Sequence, residues 1–382
     1  MSLAEASSVP AAQKAGIGID RLSGMLALAV VAVPYNVLSP LVTAALVILL
    51  CLPGIAFLCI GRRVNFGLLW VFVAAVLIWT AISLNDPGRK LLLVAHANHF
   101  WQYILITFGL CGYLKNLDLV AFLNTPRFRT ITAVSSLISI GYQLDTHGNV
   151  HEFSPNILYY MMSVFFVSRA RLPHVLLCAF IIFVFIVVNN RSSPKMIIAL
   201  FFLFMMFNPW GWMVKAGALF IVFSPLVIYL TVDPFMLWDL KLMDHNTYIR
   251  AEFVRGAFPL LADKPLFGLG FGPSYRPLNF NYLSTHSLLT NMQHLNIVSN
   301  HHSVFDTAYR LGMVPAACFV FALFVRPNLK NYSRILKFTM LTLGIGLSLN
   351  AWFENQAQML IVASLSALLL AYGTRKGPVD ER

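Results

Sequence analysis

Apolar runs of about 20 residues, repeated about a dozen times, constrain this chain more than any other feature. They lie near 23–39, 41–60, 66–84, 91–113, 130–144, 156–169, 173–189, 196–211, 216–232, 303–325, 335–353 and 357–373. Roughly 20 apolar residues in helical form cross the hydrocarbon core of a bilayer. In that medium every backbone polar group must be satisfied within the segment, which selects helices. The composition agrees: 58% of residues are hydrophobic and 11% charged, where a soluble domain carries about 25% charge. Mean hydropathy is +0.74. The sequence therefore predicts an all-α polytopic membrane protein of about 12 transmembrane helices. Its predicted parts are an N-terminal cytoplasmic tail (1–22), helices one to nine (23–232), an outer loop (233–302), helices ten to twelve (303–373) and a cytoplasmic tail (374–382). The apolar run after Arg21 flows into further spans, so it reads as an uncleaved anchor rather than a signal peptide.

The net charge of +12 raises the question of nucleic acid. The basic residues answer it, because they stand singly or in pairs at the ends of apolar runs. With the N-terminus inside, the inner side receives Lys14, Arg21, Arg62, Arg63, Lys115, Arg127, Arg129, Arg169, Arg171, Lys215, Arg326, Lys330, Arg334, Lys337, Arg375, Lys376 and Arg382. Apart from the 233–302 segment, the outer side receives Arg89, Lys90, Arg191 and Lys195. This is the positive-inside bias. It predicts both termini in the cytoplasm and the 233–302 segment facing outward, into the periplasm of a bacterium, and it argues against a nucleic-acid partner. The five cysteines, Cys51, Cys59, Cys111, Cys178 and Cys318, all fall in apolar runs and read as small packing residues.

The 233–302 segment is the one long polar insertion, and connections of that length are usually functional. Within it, 247–258 has helical spacing and carries Arg250 and Arg255. Residues five apart on a helix point about 140° away from each other, so the two arginines do not easily serve one site. Arg255 is expected to pair with Glu252, three residues earlier. That leaves Arg250, whose planar fork suits bidentate phosphate binding. Gly268-Leu269-Gly270 lacks the strand–helix context of a dinucleotide fingerprint and reads as a tight turn with close backbone approach. Such a turn could bring peptide N–H groups to an anion. Arg191 sits on the side where arginine is disfavoured, either as a snorkelling anchor or as a phosphate contact.

His301 and His302 open the tenth run. Histidine suits proton transfer near neutral pH, and adjacent residues do not share a helix face, so at most one is central. Asp306 and Arg310 stand one turn apart and are expected to form an ion pair facing the bundle interior. His96 and His99 have the spacing for a metal but no acidic or cysteine partner, so no metal site and no cofactor is expected.

Four segments together resemble the bacterial O-antigen ligase and Wzy-type O-antigen polymerase superfamily. They are Phe153-Ser154-Pro155-Asn156, Asn190-Arg191-Ser192, the run from Arg250 to Pro265-Leu266-Phe267-Gly268-Leu269-Gly270, and His301 followed by Gly312. The chain departs from the family pattern in having His302 where an Asn is usual, and Arg310 where an acidic residue is frequent. The resemblance implies a GT-C-like, metal-independent glycosyltransferase. Its donor would be a glycan on undecaprenyl diphosphate, with Arg191 and Arg250 binding the diphosphate and His301 acting as general base. His302, Arg255, Asp306, Arg310, Gly268 and Gly270 would support them. An acceptor glycolipid and a chain-length regulator would be the partners. Polymerisation of repeat units is favoured over ligation to lipid A core. A lipid-linked oligosaccharide flippase and a non-catalytic scaffold are the readings from other classes.

Overall fold

The computed structural model describes residues 11–60, 63–86, 90–148, 153–167, 171–188, 192–241, 245–271, 302–329, 334–349 and 356–373. The described residues are helical throughout, with no strand. The helices are α1 (Ala11–Ala32), α2 (Pro40–Phe57), α3 (Leu69–Asn85), α4 (Lys90–Leu114), α5 (Leu119–Leu123), α6 (Pro126–His147), α7 (Pro155–Phe165) and α8 (Leu172–Val187). They continue with α9 (Ser192–Met206), α10 (Gly211–Thr231), α11 (Pro234–Asp239), α12 (His245–Asp263), α13 (Ser303–Leu311), α14 (Met313–Val320), α15 (Arg334–Leu349) and α16 (Gln356–Gly373). This all-helical architecture is compatible with a helical membrane protein. Among the described residues one helix, α10, is long and apolar enough to cross a bilayer, and several shorter apolar helices accompany it.

Each apolar run of the sequence lies on a helix, but the ends differ for identifiable reasons. The first helix starts at Ala11, twelve residues before the predicted span and inside the predicted tail, where Ala11-Ala12-Gln13-Lys14-Ala15 are good helix formers and the glycines that follow do not interrupt it. It stops at Ala32, short of residue 39, because Pro34 disfavours helical geometry at Val33. Ser39 caps α2 by accepting from the Val42 amide, and Thr125 caps α6 by accepting from Phe128. The tenth predicted span, 303–325, is not one helix. Gly312 adopts φ +100 and divides it into α13 and α14, and α14 ends in a wider turn over Phe321–Val325. The 233–302 insertion is not an open loop where it is described: α11 and α12 occupy much of 233–263. Residues 272–301, the segment around Arg191 and the tail 374–382 lie outside the described residues.

The centre of the bundle is α4, packed against α2 and α16. At the α2–α4 crossing the backbones touch: a Cβ on Gly54 would stand 2.2 Å from the Gly109 carbonyl oxygen. Small residues permit such approach between helices in lipid. Asn156 is a second cross-link, buried at the start of α7. It donates to Ser135 at 2.6 Å and Ser139 at 3.0 Å on α6, and Ser135 in turn donates to the Ala32 carbonyl of α1.

Basic side chains tie helix ends together on one side of the bundle. Lys115 donates to the Leu58 carbonyl at 2.8 Å, and Lys337 to Asn208 at 2.7 Å. Arg129 donates to Asn124 at 2.7 Å, Lys215 to the Val325 carbonyl, and Arg326 to that of Asn65. Two of these acceptors, the Leu58 and Val325 carbonyls, lie at helix C-termini, where carbonyls have no intrahelical donor. Away from this end, large apolar side chains point outward from the bundle, among them Leu49, Phe183, Phe220 and Val227.

Candidate functional site

The site is built where the described part of the 233–302 insertion folds back onto α10 and α13. Pro225 lies inside α10 and has no amide to offer the Ile221 carbonyl, and its ring crowds the preceding turn. The Val222 carbonyl in that turn accepts a hydrogen bond from His302 Nε2 at 2.8 Å. His302 Nδ1 meanwhile accepts from the Phe305 amide at 3.2 Å, so the proton is on Nε2 and His302 is the N-cap of α13. Both ring nitrogens are engaged and the side chain is buried. By the helical rise, Val222 lies roughly 14 Å along α10 from its C-terminal end. Helix α13 thus begins deep between helices, not at the rim where the sequence puts the start of the tenth span.

All nine residues of α13 are buried. It carries the expected ion pair, with Arg310 Nε 3.7 Å from Asp306 Oδ1 and both side chains nearly inaccessible. The Arg310 guanidinium also donates to the Gly270 carbonyl at 3.4 Å and lies 5.1 Å from the centre of the Tyr309 ring. Two charges so far from solvent are tolerated because each is the other's partner.

The glycine turn closes the other end of α13. Leu269 donates to the Tyr309 carbonyl at 2.8 Å and Gly270 to the Arg310 carbonyl at 2.9 Å, while Met313 donates to Pro265 at 2.7 Å. Gly268 and Gly270 have φ +65 and +77, as a tight turn requires. The close approach expected from the sequence is present: a Cβ on Gly268 would stand 2.6 Å from the Gly312 nitrogen. The use of the amides is different. They satisfy the last carbonyls of α13, so the Leu269 and Gly270 amides do not form an anion cradle.

Helix α12 lies over α13. Tyr248, Ile249, Ala251, Phe253, Val254, Ala257 and Leu261 form one core cluster with Phe305, Ala308 and Tyr309 of α13, Ala316 of α14 and Tyr229 of α10. Arg250, Arg255 and Gly256 are half-buried within this stretch. The expected pairing of Arg255 with Glu252 does not occur. Arg255 reaches back to Asp233 at 3.1 Å, on the exposed side, and Glu252 is fully buried. Both arginines are half-buried on α12, and Arg255 is the one paired with Asp233.

Two residues without a sequence signal hold the turn from α3. Trp79 donates its indole N–H to the Phe267 carbonyl at 2.7 Å, and Ser83 donates to that of Phe271 at 3.2 Å. A Cβ on Gly270 would come within 2.3 Å of the Trp79 ring, so backbone and indole are in direct contact. Beside them opens a cleft of about 440 Å³ lined by Trp79 and by Asp263 to Leu269.

His301 and Arg191, the expected base and one expected diphosphate ligand, lie outside the described residues, as does the His96 side chain. His99 is half-buried in α4. Among the described residues no group of three or more His, Cys, Asp or Glu side chains is placed to hold a metal ion. No protein-family model, curated protein or solved structure matches the chain.

Proposed function

We propose that this chain is a polytopic membrane glycosyltransferase. It would move a glycan from an undecaprenyl-diphosphate donor to a sugar hydroxyl on the outer face of a bacterial inner membrane, extending O-antigen or exopolysaccharide repeat units. The observation that carries the reading is the packing of α12 on α13. It brings the stretch holding Arg250 against the helix that His302 caps, about fifty residues later in the chain. The gathering of basic side chains at the opposite end of the bundle supports an orientation with that end in the cytoplasm.

In this mechanism the acceptor hydroxyl attacks the anomeric carbon and the bond from that carbon to the diphosphate oxygen breaks. Arg250 and Arg191 stabilise the charge that grows on the leaving diphosphate. The hydroxyl proton passes to His301, and the anomeric carbon inverts. His302 is engaged at both nitrogens and holds the start of α13, which leaves His301 as the histidine for proton transfer.

The test uses the purified chain in lipid with an undecaprenyl-diphosphate-linked repeat unit, with and without lipid A core. Elongation of the lipid-linked repeat, lost in His301→Ala, is the expected result. Transfer only when lipid A core is present would make the chain a ligase. The break at Gly312 and the ion pair buried in α13 are features that transporters also use. Movement of lipid-linked glycan across vesicles without any joined product would establish that reading instead.

A further inference from the structure

We propose that the cleft between Trp79 and the segment from Asp263 to Leu269 is a carbohydrate subsite that binds a sugar of the glycan chain, outside the reacting centre. The inference rests on the glycan-transfer reading and adds a specific binding surface to it. Three observations carry it. Trp79 is fixed as a platform, its indole N–H taken by the Phe267 carbonyl at 2.7 Å and its ring set against the Gly270 backbone, while the indole also lines the cleft. An oriented aromatic ring of this kind offers its π surface to the apolar C–H face of a pyranose. Asp263 and Lys264 stand at the same cleft, both exposed, and neither side chain makes an ion pair or hydrogen bond with a described residue. A carboxylate accepts hydroxyl protons in strong charge-assisted hydrogen bonds, and an ammonium donates to ring and hydroxyl oxygens. Finally, about 440 Å³ lies within the range of small-ligand pockets, where an apolar lining carries a few polar groups that fix orientation.

The chemistry favours a neutral sugar over the other occupant the setting offers, a lipid. An acyl or isoprenoid chain would leave the Asp263 carboxylate and the Lys264 ammonium without partners, whereas the hydroxyls of a neutral sugar can donate to the one and accept from the other beside the apolar lining. The position is also informative. The segment that forms the cleft is the one whose amides cap α13 and whose Gly270 carbonyl accepts from Arg310. A sugar held there would be registered against the helix that carries the reaction.

The test is saturation-transfer NMR on the full chain in lipid nanodiscs. The probes are millimolar methyl glycosides of glucose, galactose and N-acetylglucosamine and their disaccharides. Wild type is expected to transfer saturation to sugar ring protons, and both Trp79→Ala and Asp263→Asn to weaken binding about tenfold, the scale of one lost hydrogen bond to a charged group. Asp263→Asn changes an exposed side chain and keeps the test sound should Trp79→Ala disturb the turn. Equal binding by wild type and Asp263→Asn, or no binding at all, would overturn the subsite. So would quenching of wild-type tryptophan fluorescence by brominated lipid that Trp79→Phe removes, since it would put lipid in the cleft. Glycan transfer with an unchanged KM in Asp263→Asn would remove the subsite and leave the transferase reading standing. Sugar binding at the cleft without any transfer would do the reverse.

Discussion

His302 donates a hydrogen bond from Nε2 to the carbonyl oxygen of Val222, 2.8 Å away and 80 residues earlier in the chain. The bond ties the start of α13 to the turn of α10 that Pro225 loosens. It also assigns the two adjacent histidines different work. His302→Ala removes an N-cap and leaves a buried carbonyl without its donor, a loss of about 2–4 kcal/mol. A fall in thermal unfolding temperature with activity per folded molecule largely kept is the expected result. His301→Ala is expected to do the opposite, abolishing transfer at near-native stability. The reverse ranking would mean that His302 is the base and that its cap is incidental.

The pair of Asp306 and Arg310 makes a second stability prediction. Arg310→Met leaves Asp306 as a buried charge without its cation, which costs about 3–5 kcal/mol. The double variant Asp306→Leu with Arg310→Met removes both charges and is expected to recover most of that loss. Unfolding curves of the three proteins in one detergent decide it. A double variant no more stable than Arg310→Met would show that the unpaired Asp306 charge is not the source of the loss.

The break at Gly312 and the turn at Gly268 act as one joint. At Gly312 φ is +100, and a Cβ would stand 2.0 Å from the Leu266 carbonyl oxygen. Gly312→Ala therefore meets both backbone strain of about 1–2 kcal/mol and a collision with backbone that cannot move aside cheaply. Low yield of folded protein is the expected outcome, and Gly268→Ala should behave alike because its Cβ would meet Gly312 and Arg310. Gly141, exposed inside α6 with nothing within 4 Å, is the control, and Gly141→Ala should keep the yield and raise stability by up to about 1 kcal/mol. Equal yields from all three variants would mean that the joint relaxes freely.

What the sequence made legible follows from periodicity and local geometry. The apolar runs lie on helices, the 247–258 stretch is helical, Gly268 and Gly270 turn the chain, and Asp306 faces Arg310 across one helical turn. Each is set by residues near in sequence. Illegible were the long-range choices. No local pattern shows that Trp79 will bond Phe267 across 188 positions, or that Arg255 will prefer Asp233 to Glu252. The division of 303–325 was readable in part, since a glycine amid apolar residues permits a break. Whether the helix does break depends on the turn from Pro265 supplying partners for the freed groups, as the Met313 amide and the Tyr309 and Arg310 carbonyls show.

Arg250 tests the chemistry most directly. Arg250 and Arg255 are both half-buried on α12, and Arg255 is held by Asp233; in the glycan-transfer reading Arg250 is the one that meets the donor, so the two should respond differently to substitution. Arg250→Ala is expected to abolish glycan transfer. Arg250→Lys should restore only a fraction, since a point charge cannot reproduce two parallel N–H bonds to a diphosphate. Arg255→Ala breaks only an exposed pair, worth about 0–1 kcal/mol, and should leave transfer near wild type. The measurement is initial rate against donor concentration for the three variants. The decisive comparison is the lysine variant: a rate equal to wild type would exclude bidentate recognition at Arg250, and with it the assignment of this residue to the diphosphate.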